Sequence, residues 1–125
     1  MSRFKFDWVL INELAVGSAP LTERHLNRLK DNGISSILSL CSIKEAAQLD
    51  SMQEKFQCER IILPDHRSGR KLEEEEFLNA VDKVAKLRAH GSVFVHCFAG
   101  VERSPIVCMG WLVRQHGLSP QGALD

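Results

Sequence analysis

The stretch from Ser92 to His116 constrains this chain more than any other. An apolar run, Ser92-Val93-Phe94-Val95, leads through His96 and Cys97 into a segment containing Gly100. A helical pattern then runs from Pro105 to His116 and is stopped by Gly117. A strand, a tight loop and a helix start therefore converge on one thiol. Successive backbone N–H groups of such a loop can point into its centre and bind an oxyanion at the positive end of the helix. Gly100 supplies a backbone conformation that a larger residue resists. Arg103 offers a planar fork that matches two phosphate oxygens. The same dipoles favour the thiolate of Cys97, so one loop would hold a phosphate and activate a nucleophile.

The rest of the chain supplies a scaffold for that unit. Trp8-Val9-Leu10-Ile11 and Leu14-Ala15-Val16-Gly17 read as two short strands around a turn at Asn12-Glu13. Thr22 caps a helix from Glu23 to Lys30 or Asp31, with Gly33 beyond its end. The pattern predicts strands over Ile34–Leu40, Glu59–Leu63 and Ser92–His96. It predicts helices over Ile43–Gln53, Leu72–His90 and Pro105–His116. Strands alternating with helices imply right-handed crossovers, an α/β fold with a largely parallel central sheet, and helices on both faces. Ligands of such sheets bind beyond the carboxyl ends of the strands, where Cys97 falls. The length suits a single domain over 1–125, with no repeat or linker.

Composition narrows the class further. Lysines plus arginines number 16, as do aspartates plus glutamates, so bulk charge gives no drive toward nucleic acid. No apolar run approaches membrane-spanning length, and Met1-Ser2-Arg3-Phe4-Lys5 lacks a signal-peptide core. Cys41, Cys58, Cys97 and Cys108 show no paired spacing, which argues against zinc or disulfide frameworks and for a reducing cytoplasm.

His96-Cys97-x5-Arg103-Ser104 resembles the signature loop of cysteine-dependent protein tyrosine phosphatases. Ala99-Gly100 and Ser104-Pro105 bring it closest to the compact dual-specificity subgroup, and to prokaryotic members more than to large regulated ones. The resemblance implies hydrolysis of phosphotyrosine, and of phosphoserine or phosphothreonine, through a phosphocysteine intermediate, with no metal or cofactor. It implies that Cys97 attacks while Arg103 and the backbone of Phe98, Ala99, Gly100, Val101 and Glu102 cradle the phosphate. It also implies that the Ser104 hydroxyl stabilises the departing thiolate; capping physics alone would make Ser104 the N-cap of the next helix. His96 is expected to order the loop by hydrogen bonds.

An alkoxide is a poor leaving group, so a proton donor on a second loop is expected. Asp65, in Leu63-Pro64-Asp65-His66-Arg67-Ser68-Gly69, follows a strand and fits that place; a plain turn aspartate is its other reading. His66, Glu102, Asp50 and Asp31 are weaker candidates. Turnover would need Cys97 ionised and Asp65 protonated, which gives a bell-shaped pH profile. Arg67, Arg70 and Lys71 would steer acidic substrates or form a solvated basic turn. Glu73 to Glu76 reads as a first helical turn, offsetting the dipole. Cys41 could resolve an oxidised Cys97 or be a small buried hydrophobe; Cys58 and Cys108 read as core.

Glu102 would repel polyanionic lipid head groups, so phosphoproteins are the expected partners, without nucleic acid or membrane. Two other readings stay open: a phospho-binding module with little catalysis, and a sulfur- or arsenate-handling enzyme. The helix start at Ser119-Pro120 has about one turn of sequence after it. A chain that ends inside an element, by truncation or as a natural short form, and that exposes apolar surface near Trp111, Leu112 and Leu118 and so dimerises or exchanges segments, is the corresponding expectation.

Overall fold

A computed structural model describes residues 4–64, 69–97 and 103–116. Two strands, β1 (Phe6–Leu10) and β2 (Leu14–Gly17), form an antiparallel pair, and Asn12 turns the chain between them with φ 65°. Helix α1 (Glu23–Asp31) follows, its first turn closed by the Thr22 hydroxyl, which accepts from the His25 amide. Strand β3 (Ile34–Ser39), the short helix α2 (Met52–Lys55) and strand β4 (Gln57–Arg60) come next. Helix α3 (Glu74–Arg88), strand β5 (Ser92–His96) and helix α4 (Arg103–His116) complete the described chain.

The sheet order is β1-β2-β5-β3-β4, and every pairing except β1 with β2 is parallel. The expected α/β architecture is therefore present. Side chains alternate across the sheet. On one face Leu14, Leu38, Val93 and Val95 pack against α3 and α4 through Val81, Val84, Val107 and Trp111. On the other, Ala15, Ile34, Ile37 and Phe94 pack against Leu26 and Leu29 of α1 and Met52 of α2. The parallel strands end flush: Gly17 and Ser39 both pair with His96, and Ser39 also pairs with Arg60. That alignment puts the carboxyl ends of β2, β3, β4 and β5 side by side.

Two expectations need correction. The helix over Ile43–Gln53 does not form; the segment is a series of turns, and only Met52–Lys55 is helical. Arg60 donates to the Cys41 and Ala46 carbonyls, so the oxygen that a helix would offer to residue 50 is already taken. The strand expected at Glu59–Leu63 is centred earlier, at Gln57–Arg60, although its hydrogen bonding to the β3 side continues through Ile61 N–H to Ser39 and Leu63 N–H to Leu40. Trp111 and Leu112 are themselves buried against the sheet, at 4% and 5% exposure. Leu118 and the rest of 117–125 lie outside the described residues, so the dimer and segment-exchange expectations fall there too. Among the described residues no helix is long and apolar enough to cross a membrane.

Candidate active site

Strand β5 delivers Cys97 to the centre of the flush edge. Its partners β2 and β3 flank it on both sides, so the thiol lies at the middle of the sheet, 2% exposed. Its Sγ is 3.5 Å from the Ser104 hydroxyl oxygen, and Ser104 is fully buried. Helix α4 starts at Arg103, two residues before the expected Pro105. Pro105 therefore occupies the first turn, where its missing N–H leaves no intrahelical bond unmade. Ser104 is thus inside the helix and not its N-cap, and its hydroxyl faces the thiol.

His96 sits beneath Cys97 and is 2% exposed. Its Nδ1 is 3.2 Å from the Cys97 carbonyl oxygen and its Nε2 is 2.7 Å from Ser39 Oγ. Burial pushes its pKa down to about 4, so the ring is neutral at physiological pH. It bridges Ser39 of β3 to the Cys97 carbonyl.

Arg103 reaches back over the edge and is 6% exposed. Its Nη1 donates to the carbonyls of Leu40, at 3.2 Å, and Leu63, at 3.0 Å. Its fork is also gripped by Glu45, with Nη1 3.3 Å from Oε1 and Nη2 2.8 Å from Oε2. The guanidinium therefore bridges the loops after β3 and β4 to the start of α4. Glu45 and Ser39 were not singled out from sequence. Ser39 carries no signal beyond its place in a strand. Glu45 does carry one: Ser42-Ile43-Lys44-Glu45 has the spacing of a capping box.

Cys41 follows β3, is fully buried, and packs with Ala19 and Ala46. Burial, with Glu45 second, pushes its thiol pKa up. Cys108 is 1% exposed and burial pushes its thiol far up, as befits core; Cys58 is half-buried against the α1 face. Arg70 forms a two-point pair with Glu76, both bonds 2.8 Å, and is committed to the start of α3. Glu73 and Glu76 close a reciprocal capping box there. Asp31 and Asp50 are exposed, on α1 and in the turns before α2. Asp65, His66, Arg67, Phe98, Ala99, Gly100, Val101 and Glu102 lie outside the described residues. Among the described residues no cluster of three metal-binding side chains exists.

This chemistry can be set beside known proteins. The sequence family described as dual specificity phosphatase, catalytic domain, matches residues 15–125. No curated protein sequence matches the chain. Among solved structures the fold is similar to Tk-PTP in its active form, at 22% identity and a TM-score of 0.78, over 95% of this chain and 79% of that one. It is similar to PTPMT1 in complex with PI(5)P, at 18% identity and 0.76, over 95% and 78%. It is also similar to the human tyrosine phosphatase-like serine/threonine/tyrosine-interacting protein, at 20% and 0.76, over 95% and 79%.

Proposed function

Since the chain belongs to the family of dual-specificity phosphatase catalytic domains, we propose that it hydrolyses phosphotyrosine, and phosphoserine or phosphothreonine, in proteins through a phosphocysteine. The observation that carries the reading is the Cys97 Sγ to Ser104 Oγ approach of 3.5 Å at the start of the helix that Arg103 opens. The Cys97 thiolate attacks phosphorus, forming the P–S bond as the bond to the leaving oxygen breaks. Asp65 gives that oxygen its proton. Arg103 and the amides of residues 98–102 hold the equatorial oxygens. Asp65 then takes a proton from water, which attacks phosphorus; the P–S bond breaks, and the Ser104 hydroxyl donates a hydrogen bond to the returning thiolate. The neutral His96 holds the Cys97 carbonyl and plays no part as a base.

A phosphoprotein substrate is favoured over a polyanionic lipid because Glu102 lies within the phosphate loop. One structural neighbour was solved with PI(5)P, so a phosphoinositide head group belongs in the substrate panel. A reducing cytoplasm would keep the thiol competent. The test is hydrolysis of an aryl phosphate and of tyrosine-, serine- and threonine-phosphorylated peptides by reduced protein, with and without vanadate. Vanadate-sensitive release of phosphate that disappears in Cys97→Ser is expected. No release from folded, reduced protein rejects the reading and leaves a phospho-binding module. Asp65→Asn should slow alkyl phosphates more than aryl phosphates; equal slowing would move the acid elsewhere.

A further inference from the structure

We propose that Ile43 and Ile62, with Leu21 on the β2 side, form an apolar rim that selects phosphopeptides with a large apolar residue next to the phosphorylated one. The proposal rests on the phosphatase reading above and names the substrate class for it. Among the described residues six large apolar side chains are exposed. Scattered singly, such side chains are ordinary. Three of these six share one edge. Leu21, Ile43 and Ile62 follow β2, β3 and β4, at the carboxyl ends where Cys97 emerges, and each is more than half exposed. Of the others, Ile11 stands at the opposite end of β2, and Leu78 and Ile106 lie on α3 and α4.

Two of the three are tied to Arg103 by the chain itself. Ile62 precedes Leu63, whose carbonyl accepts from Arg103 at 3.0 Å. Ile43 lies between Leu40, whose carbonyl accepts from the same nitrogen at 3.2 Å, and Glu45, which meets the fork. Consecutive Cα atoms are about 3.8 Å apart in substrate and enzyme alike. A phosphate held on Arg103 therefore lays the flanking residues of its peptide over this edge.

The backbone under the rim is fixed. The amides of Glu45 and Ala46 both donate to the Ser42 carbonyl, which puts Ile43 and Lys44 at the tip of a tight turn. Arg60 braces that turn at the Ala46 carbonyl. The amides of Ile61 and Leu63 donate to the Ser39 and Leu40 carbonyls, and their side chains join the core. Alternation then turns Ile62 outward. Leu21 N–H donates to His25 Nδ1 at 3.0 Å, two residues after Ala19, which packs with Cys41. Isoleucine is stiff at χ1, so an apolar partner finds these side chains already ordered. A bilayer also takes up apolar rims. Equal numbers of basic and acidic residues, however, give an anionic membrane little hold, and the rim is three separate side chains rather than an amphipathic helix.

The test uses two phosphotyrosyl peptides that differ only in the residues flanking the phosphotyrosine, leucine in one and serine in the other. The Cys97→Ser protein, which holds substrate without turnover, should bind the leucine peptide about tenfold more tightly. Adding Ile43→Ala or Ile62→Ala should each reduce that preference about threefold, and the two together should abolish it. Ile43→Thr and Ile62→Thr, which keep the branched shape, serve should the alanine variants fold poorly. Ile11→Ala, which trims an exposed isoleucine at the other end of the sheet, should keep the preference. In the native protein the same preference should appear in kcat/KM. Equal binding of the two peptides by the Cys97→Ser protein overturns the inference. So does a leucine preference that survives in the folded double variant. Equal peptide binding together with attachment to vesicles of equal parts phosphatidylcholine and phosphatidylserine, lost in the double variant, assigns the rim to a membrane instead. If the native protein releases no phosphate yet the Cys97→Ser protein keeps the preference, the phosphatase reading fails alone and the rim stands.

Discussion

His96 shows how much one buried ring can decide. The Cys97 carbonyl oxygen can only accept, so Nδ1 carries the hydrogen and Nε2 accepts from Ser39 Oγ–H. A neutral tautomer is thereby fixed on both sides, and burial holds its pKa down at about 4. The unfolded chain titrates nearer 6.5. Between those values the unfolded state takes up a proton that the folded state refuses, so this group's stability is intact above about pH 6.5 and is lost as pH falls toward 4. The loss amounts to roughly 3 kcal/mol. In urea titrations the unfolding free energy of the native protein should therefore approach that of His96→Gln as pH drops from 7 to 4; a pH-independent gap would mean that His96 charges in place. Ser39→Ala would leave Nε2 buried without its donor and should cost about 1–2 kcal/mol in the same experiment at pH 7. His96, Cys97, Arg103 and Ser104 were legible because their types and spacing are tied to one loop. Ser39 was not, because it comes from a strand remote in sequence and only the sheet register brings it beside His96; the capping-box spacing at Ser42–Glu45 marks a turn but not its nearness to Arg103.

At the scale of elements, agreement followed local chemistry and disagreement followed tertiary contacts. Helix α1 begins at its Thr22 cap and β5 spans Ser92–His96 as expected, since capping and an uninterrupted apolar run are local signals. The segment after Ile43 has a helical composition but gives the Ala46 carbonyl to Arg60 and the Glu45 carboxylate to Arg103, and distant arginines overrule propensity. Two substitutions probe the local devices. Thr22→Ala removes the oxygen that accepts the His25 amide and should lower stability by about 1 kcal/mol in urea. Gly17→Ala is harsher. Its Cβ would stand 1.9 Å from the Lys5 carbonyl oxygen and 2.9 Å from the Phe94 ring, backbone on one side and packed core on the other. About 2–3 kcal/mol of destabilisation is expected, with the β1 end of the sheet disturbed first. A thermal midpoint equal to that of the native protein would show that β1 can shift away freely.

For the molecule as a whole, β5 belongs to both cores: Val93 and Val95 face α3 and α4, while Phe94 faces α1. A strand shared in this way should make the two faces unfold together. Two tryptophans stand on opposite sides to report it, Trp8 against the α1 face and Trp111 within the α4 face. Single-tryptophan proteins, made as Trp8→Phe and Trp111→Phe, should each give a fluorescence transition that coincides with their own far-UV circular dichroism curve. A fluorescence transition well separated from it in either protein would mean that one face melts alone. The parallel sheet with helices on both faces was legible from the alternation of patterns. The order of its strands was not, because pairing is set by packing between segments that are far apart along the chain.

The sheet's outer strands have a consequence for behaviour in concentrated solution. Strand β1 has five residues with a bulge between Trp8 and Leu10, and β4 has four residues that include Glu59 and Arg60. Glu59 is also engaged with Lys83 at 3.7 Å. Short, bulged or charged borders offer an incoming strand few consecutive backbone groups to pair with. The same borders that finish the sheet therefore guard it against fibril-like growth.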